Sequence, residues 1–221
     1  MTTPAIAKAQ SLPLTKLPNV EDIYPVSPMQ QGMLFHGLYQ PESQMYFIQV
    51  GCHFEQGFSV RAFQRAWEEV VGRHSVLRTN FLWEGLKEPV QVVRRKVQLP
   101  WREEDWRLLE EAEQKRKWKE FVRLDRCAPF HLNQAPLTRF ALLRTSEDGY
   151  YFLWSYHHIL LDGWCQQIIM REMFTFYQAF RDGSKVMLEK PRPYRDYIGW
   201  LQKLDESRAE SFWREELKGF T

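Results

Sequence analysis

Two neighbouring apolar segments joined by a short turn constrain the fold of this chain more than any other feature. Residues 137–144 and 150–156 have the composition of buried strands, and Ser146-Glu147-Asp148-Gly149 between them is typical of a turn. Strands separated by so short a turn pair in antiparallel fashion as a hairpin. Any sheet that contains them therefore cannot be purely parallel.

Helix and strand patterns alternate along the rest of the chain. Ser27 before Pro28 predicts a helix over 28–39, because a hydroxyl side chain caps a helix and proline suits its first position. The other predicted helices cover about 59–72, 105–124 and 164–180, with one or two more between 194 and 218. Further strands are predicted over 46–54, 76–83 and 90–94. This order predicts an α/β (α+β) two-layer sandwich, a mixed β-sheet flanked by helices.

Composition and charge exclude several classes of function. The chain has 221 residues, 44% of them hydrophobic, which is enough for a packed core. A net charge of +2 gives no field that would attract nucleic acid. No apolar run approaches the roughly 20 residues of a membrane span, and no signal peptide is recognisable, so we expect a cytoplasmic protein without a membrane partner. Residues 1–20 are interpreted as a leader or linker and 21–221 as the folded unit.

The cysteines and the scattered histidines give no sign of a metal site or a disulfide framework. Cys52, Cys127 and Cys165 lack C-x-x-C spacing and are expected to be buried thiols. The histidines outside the hairpin have no ligand spacing, so no metal is predicted. These histidines are His36, His53, His74 and His131.

The residues best suited to chemistry follow the second hairpin strand directly, in His157-His158-Ile159-Leu160-Leu161-Asp162-Gly163. Adjacent strand residues face opposite sides, so only one histidine can face a given cleft. Asp162 and Gly163 suit a tight turn with a carboxylate at the positive end of a helix. An imidazole close to such a carboxylate suits acid–base chemistry near neutral pH. The residues alone equally fit an ordinary strand end with Asp162 as a helix cap.

Four segments, in order, resemble the motifs of condensation domains of non-ribosomal peptide synthetases, part of the chloramphenicol-acetyltransferase-like superfamily. They are residues 27–36 (SPMQQGMLFH), 73–81 (RHSVLRTNF), 157–163 (HHILLDG) and 194–200 (YRDYIGW). The third matches the H-H-x-x-x-D-G signature of that family. The resemblance covers about 20–220, and Ser75 departs from it where the family often has glutamate. Within the first segment, Ser27 is expected to be a cap, and Met29, Met33 and Phe35 are expected to lie in the core.

The resemblance implies amide-bond formation between aminoacyl or peptidyl thioesters, each tethered to a carrier protein. It assigns the catalytic role to His158. It assigns structural support of the site to His157, Asp162, Gly163, Arg73 and Arg78. Asp162 is implied to pair with one of the two arginines, with Arg73 preferred. Trp164 and Cys165 are candidate residues of the tunnel wall, and packing in the first helical turn is the alternative.

The resemblance also implies what this chain lacks. A whole condensation domain has two related lobes and about twice this length, so the chain is interpreted as the N-terminal lobe, inactive when isolated. The implied partners are donor and acceptor peptidyl carrier proteins, the C-terminal lobe and an adjacent adenylation domain. Phosphopantetheine would arrive on the carrier proteins, with no cofactor bound by the lobe. The alternatives are a coenzyme A-dependent acyltransferase of the same superfamily and a non-catalytic lobe that docks carrier proteins.

Overall fold

The computed structural model describes residues 18–40 and 43–220, so the greater part of the predicted leader lies outside the described residues. The described part of the chain contains seven strands, six α-helices and, at Ser75–Arg78, a short 3-10 helix. The strands are β1 (Val20–Pro25), β2 (Phe47–Phe54), β3 (Thr79–Leu82), β4 (Val90–Arg94), β5 (Trp101–Asp105), β6 (Thr138–Arg144) and β7 (Tyr150–His157). The α-helices are α1 (Pro28–Tyr39), α2 (Val60–Arg73), α3 (Glu111–Cys127), α4 (Gly163–Asp182), α5 (Tyr194–Leu201) and α6 (Glu206–Glu216).

The strands form two sheets. The larger sheet has the order β2-β7-β6-β5, and the smaller has the order β1-β4-β3. In the larger sheet β6 and β7 are antiparallel, as the hairpin predicts, whereas β5 and β6 are parallel. The sheet is therefore mixed and flanked by helices, which confirms the predicted α/β class.

Both faces of the larger sheet are covered. Residues of β7 alternate between them: Phe152, Trp154 and Tyr156 belong to the main core, and Leu153 belongs to a smaller cluster on the other face. The main core is completed by apolar side chains of α2 and α4, including Trp67 and Met173. On the other face α3 packs through residues that include Phe121. This cover fixes the end of β7, where the two histidines lie.

Several boundaries differ from the sequence prediction. The segment predicted as one strand over 76–83 begins as a 3-10 helix, Ser75–Arg78, in which the Thr79 hydroxyl donates to the Ser75 carbonyl at 2.9 Å. The helix predicted from 105 starts only at Glu111. Residues 101–105 form β5, a strand that has no counterpart in the sequence prediction, and residues 106–110 connect it to the helix.

The expected burial is also wrong at three positions. Met29 is 70% exposed and Phe35 is 62% exposed, because α1 turns Gln30 and Leu34 inward instead. Met33, as expected, packs against the core. Cys127 is exposed, whereas burial was predicted; all three cysteines are free thiols. No helix among the described residues is both long enough and apolar enough to span a membrane.

Candidate active site

A turn between β7 and α4 carries the two histidines. Its middle residues, Ile159, Leu160 and Leu161, are all buried and anchor the turn in the protein. The amide of Leu160 donates to the carbonyl of His157 at 3.1 Å, which closes the turn. The apolar residues between the histidines and the aspartate therefore fix the shape of the site.

His158 is partly exposed, and its orientation is set by the turn itself. Its Nδ1 lies 2.6 Å from the carbonyl oxygen of Leu161. A carbonyl can only accept, so Nδ1 carries the hydrogen, and the neutral ring keeps its lone pair on Nε2. The backbone amide of His158 donates to the carbonyl of Tyr46 at 2.7 Å, which ties the residue to the segment before β2. This arrangement gives a fixed imidazole with a basic nitrogen that does not bond the turn.

His157 is more deeply buried than His158 and has the opposite tautomer. It is 8% exposed, and its Nδ1 accepts a hydrogen bond from the amide of Ile159 at 3.1 Å. The neutral ring must then carry its hydrogen on Nε2. Burial, and to a lesser extent the neighbouring His158, lowers the pKa of His157 to about 4. His157 is therefore neutral at pH 7, and only His158 of the two is open to solvent to an appreciable extent.

Asp162 caps α4. Its Oδ1 accepts from the amide of Cys165 at 2.8 Å, and its carbonyl accepts from the amide of Gln166. Hydrogen bonds, mainly from Cys165, hold the pKa of the Asp162 carboxyl below its usual range. The carboxylate is exposed and ionised at neutral pH, at the positive end of the helix dipole.

The expected ion pair between Asp162 and an arginine is absent among the described residues. Arg73 bonds Glu172 at 3.0 Å and the carbonyl of Glu189 at 2.7 Å. Arg78 is buried and bonds Glu21 at 2.6 Å, together with backbone carbonyls that include that of Val71. Both arginines therefore have closer acceptors, while Asp162 is used as a helix cap.

The first two residues after Asp162 are exposed, so they do not pack in the first turn of α4. Gly163 begins α4, and a Cβ placed on it would meet nothing within 4 Å. Trp164 is 79% exposed. Cys165 is partly buried against the main core, and burial is the main reason that its thiol pKa is raised. Trp164 is thus free to contact a substrate or another protein surface, and Cys165 packs mainly against the core.

A buried pair of glutamines connects α1 to the histidine turn, a link that no sequence prediction anticipated. The Gln30 side chain donates from Nε2 to the carbonyl of Ile159 at 3.2 Å. Its Oε1 accepts from the amide of Ser27 at 3.0 Å and from Nε2 of Gln91 at 3.0 Å. The spacing of Ser27 and Gln30 is that of a capping box, which was the available signal. The partner in the turn could not be read from the sequence.

Several known proteins are similar to this chain over nearly its whole length. The family model described as "Condensation domain" matches residues 20–221. One of the proteins that make up linear gramicidin synthase of Brevibacillus parabrevis is 42% identical over 201 residues. Bacitracin synthase 3 of Bacillus licheniformis is 42% identical over 204 residues. In both comparisons the match spans 91% of this chain and 3% of the relative.

Solved structures support the same fold. The starter condensation domain of rhizomide synthetase superposes with a TM-score of 0.76 at 20% identity, covering 89% of this chain and 50% of that structure. The first condensation domain of the calcium-dependent antibiotic synthetase gives a TM-score of 0.75 at 17% identity, covering 91% and 49%. The chain thus spans about half of a solved condensation domain. With a family model that matches nearly its whole length, this chain belongs to the condensation domain family of non-ribosomal peptide synthetases.

Proposed function

We propose that this chain is the N-terminal lobe of a domain that forms peptide bonds between thioesters tethered to carrier proteins, with His158 as the catalytic residue. The observation that carries the proposal is the hydrogen bond from Nδ1 of His158 to the Leu161 carbonyl, which leaves Nε2 as the basic nitrogen of a partly exposed ring. The family relationship and the coverage of half a condensation domain support the same assignment.

The reaction joins the α-amine of an acceptor aminoacyl thioester to the carbonyl carbon of a donor thioester. A C–N bond forms, the C–S bond breaks, and one proton passes from the nitrogen to the leaving sulfur. An α-amine with a pKa of about 7.7 to 8.0 costs only about 1 kcal/mol to deprotonate at neutral pH. His158 is therefore needed less for that first proton than for the one released as nitrogen bonds to carbon, or for holding the amine in line.

The other residues support this ring. His157 stays neutral and bonds the turn, Asp162 caps α4, and the open surface at Gly163 leaves its amide as a candidate donor to the developing oxyanion. Arg73 and Arg78 hold the surrounding elements through their bonds to Glu172 and Glu21. Trp164 is proposed to face the tunnel formed with the second lobe.

The proposed partners are the donor and acceptor carrier proteins with their phosphopantetheine arms, the C-terminal lobe and an adenylation domain. The two short basic stretches, residues 94–96 and 115–119, are weak candidates for carrier docking. In the second of them, Lys115 pairs with Glu111 and Lys117 pairs with Glu104. These pairs favour a solvated surface over an acidic partner at that place. We propose that the isolated lobe is inactive because half of the cleft is missing.

The decisive experiment measures dipeptide formation between two loaded carrier proteins. The lobe alone, the lobe joined to a C-terminal lobe, and the joined His158→Ala variant are compared, with His53→Ala as a histidine control on β2. We expect product only from the joined wild type and the control, and a loss of about 10² to 10⁴ in rate for His158→Ala. An unchanged rate in His158→Ala would refute the role of His158. Acylation of a free small amine from coenzyme A, in place of condensation, would favour the acyltransferase alternative.

A further inference from the structure

A cavity lies behind the catalytic turn, on the side of His157. Its volume is about 400 Å³, and it is bounded by the end of α1, the segment after residue 43, the end of α3 and the loop that follows α3. His157 is among the residues that line it, and His158 is not. The cavity is therefore distinct from the surface onto which His158 opens.

The inner walls of this cavity are apolar, whereas polar residues such as Gln44 and Asn133 line its exposed part. Phe47 and Leu132 are buried, and Trp83 and Phe130 are partly buried. Phe47 and Phe130 stack with ring centroids 5.2 Å apart, which makes one wall rigid. A space of this size and lining accommodates an aliphatic chain or a single ring.

One polar group that lines the cavity, the imidazole of His157, can donate a hydrogen bond to a ligand. His157 is more than nine-tenths buried, and its Nδ1 is already occupied by the amide of Ile159. Its Nε2 must therefore carry a hydrogen, and no acceptor for that hydrogen occurs among residues 18–40 and 43–220. Nε2 of His157 is not one of the sealed side-chain nitrogens without a partner, which in the described residues are those of Trp67 and Trp101, so its N–H group reaches the cavity and can donate to an oxygen atom of a ligand.

Among the described residues, the guanidinium of Arg126 and the imidazole of His131 line the cavity, and no carboxylate does. Arg126 uses one N–H group on the carbonyl of Phe47 at 3.0 Å, and a guanidinium has five. An oxygen-bearing, neutral or anionic ligand suits this rim, whereas an amine does not.

We propose that this cavity binds an acyl group, meaning an apolar chain or ring that ends in a carbonyl or carboxylate oxygen. The apolar part packs against Phe47, Trp83 and Leu132, and the oxygen accepts the hydrogen bond from Nε2 of His157. The proposal does not depend on the chemistry assigned to His158. It assigns to the first histidine of the pair a binding role in addition to its bond to the turn.

Cys127 offers a direct readout, because it is an exposed free thiol that lines the cavity. The rate at which iodoacetamide alkylates Cys127 is measured by mass spectrometry, with Cys52 and Cys165 as internal controls. The probes are octanoate and octanamide, with octylamine as the control of opposite charge. At a probe concentration of about twice its Kd, alkylation of Cys127 should slow about threefold, and the other two cysteines should be unaffected. Protection by both probes indicates recognition of the oxygen alone, and protection by octanoate alone adds recognition of charge.

Two matched glycine variants test where the probe binds. Gly37 lines the cavity, and a Cβ there would lie 3.9 Å from Cδ1 of Leu132, so Gly37→Leu fills the space. Gly32 lies on the same helix, and a Cβ there would meet nothing within 4 Å, so Gly32→Leu is the control. Both replacements favour the helix, so neither should lower the melting temperature. Protection should disappear in Gly37→Leu and persist in Gly32→Leu.

His157→Asn tests the hydrogen bond, because asparagine can keep an acceptor for the Ile159 amide while it lacks the distal N–H. We expect the affinity for octanoate to fall about tenfold in this variant. The proposal is refuted if neither oxygen-bearing probe protects Cys127, if octylamine protects it equally, or if Gly37→Leu is protected as well as the wild type.

Discussion

Replacing Gln30 by methionine should lower the free energy of unfolding of the lobe, and the hydrogen bonds of Gln30 set the size of the loss. Gln30 is 4% exposed, and its side chain joins Ser27, Gln91 and Ile159 through hydrogen bonds of 3.0 to 3.2 Å. Methionine has a similar length and leaves little cavity, so the change mainly removes these bonds. Gln91 keeps a second bond, from its Nε2 to the carbonyl of Pro25 at 2.9 Å.

The Ser27 amide and the Ile159 carbonyl would then lose their bonds to this side chain inside the protein. Each buried polar group left unsatisfied costs about 1 to 3 kcal/mol, so the free energy of unfolding should fall by about 2 to 6 kcal/mol. Domains of this kind are stable by only about 5 to 15 kcal/mol. The variant should therefore remain folded under mild conditions but unfold at a clearly lower urea concentration.

Urea unfolding, followed by tryptophan fluorescence, measures this difference. Gln31→Met is the matched control, because Gln31 is the next residue of α1 and is exposed; its effect should stay within about 0.5 kcal/mol. Hydrogen exchange adds a local readout, since the amides of 159–161 should exchange faster in Gln30→Met by a larger factor than the amides of α2. A loss of less than about 1 kcal/mol for Gln30→Met would refute the assignment of these hydrogen bonds.

Three further predictions concern the cap, the buried histidine and the exposed apolar surface. Because asparagine caps a helix as well as aspartate does, Asp162→Asn should change the free energy of unfolding by only a few tenths of a kcal/mol, whereas Asp162→Ala, which removes the cap, should lower it by about 1 kcal/mol. A loss of about 3 to 5 kcal/mol in Asp162→Asn would instead indicate a buried ion pair. Burial lowers the pKa of His157 to about 4, so the unfolded chain takes up this proton first as pH falls from about 6.5, and the folded state should lose up to about 3 kcal/mol by pH 4. In His157→Asn that share of the pH dependence should vanish, and equal slopes for the two proteins would contradict the assignment. The lobe exposes aromatic side chains, among them Phe35, Trp164 and Trp213, and is therefore expected to self-associate. Its sedimentation coefficient should rise as concentration increases about a hundredfold, and a constant monomer value would contradict this.

Local signals in the sequence were sufficient for the elements that depend on local chemistry. The cap at Ser27 and proline at Pro28 predicted α1 with its observed bounds, and the strand predicted over 90–94 is β4. The hairpin of β6 and β7 follows from apolar runs on either side of a polar turn. The cap and the turn are local signals, so a single sequence reveals α1 and the hairpin; β4 has a clear β-branched signal of its own, although its partner β1 is distant in sequence.

Elements that depend on distant partners were missed or misplaced. β5 has the sequence WREED, whose charged residues give no strand signal, and it exists because it pairs in parallel with β6. In α1 apolar residues occur on several sides, so periodicity alone could not decide that Leu34 is buried and Phe35 exposed. In both places tertiary contacts decide what local propensity leaves open.

The candidate site shows the same division. The motif located the turn, and strand geometry alone placed the two histidines on opposite sides. The tautomer of each histidine depends on a single contact: Nδ1 of His158 donates to a carbonyl, and Nδ1 of His157 accepts from an amide. No sequence pattern encodes these contacts. The predicted partner of Asp162 was wrong for a similar reason, since the carboxylates that pair with Arg73 and Arg78, those of Glu172 and Glu21, lie far away in sequence.

The pairing of β2 with β7 also has a consequence for how the lobe acquires its structure. Phe47 is opposite His157, so the two partners are separated by 110 positions of the chain. During synthesis β2 leaves the ribosome long before β7 exists, and it must remain without its neighbour for several seconds at ordinary rates of translation. The backbone at the two histidines can reach its final geometry only after this late, long-range pairing, so β2 is exposed to mispairing until the strand that leads into the histidine turn has been made.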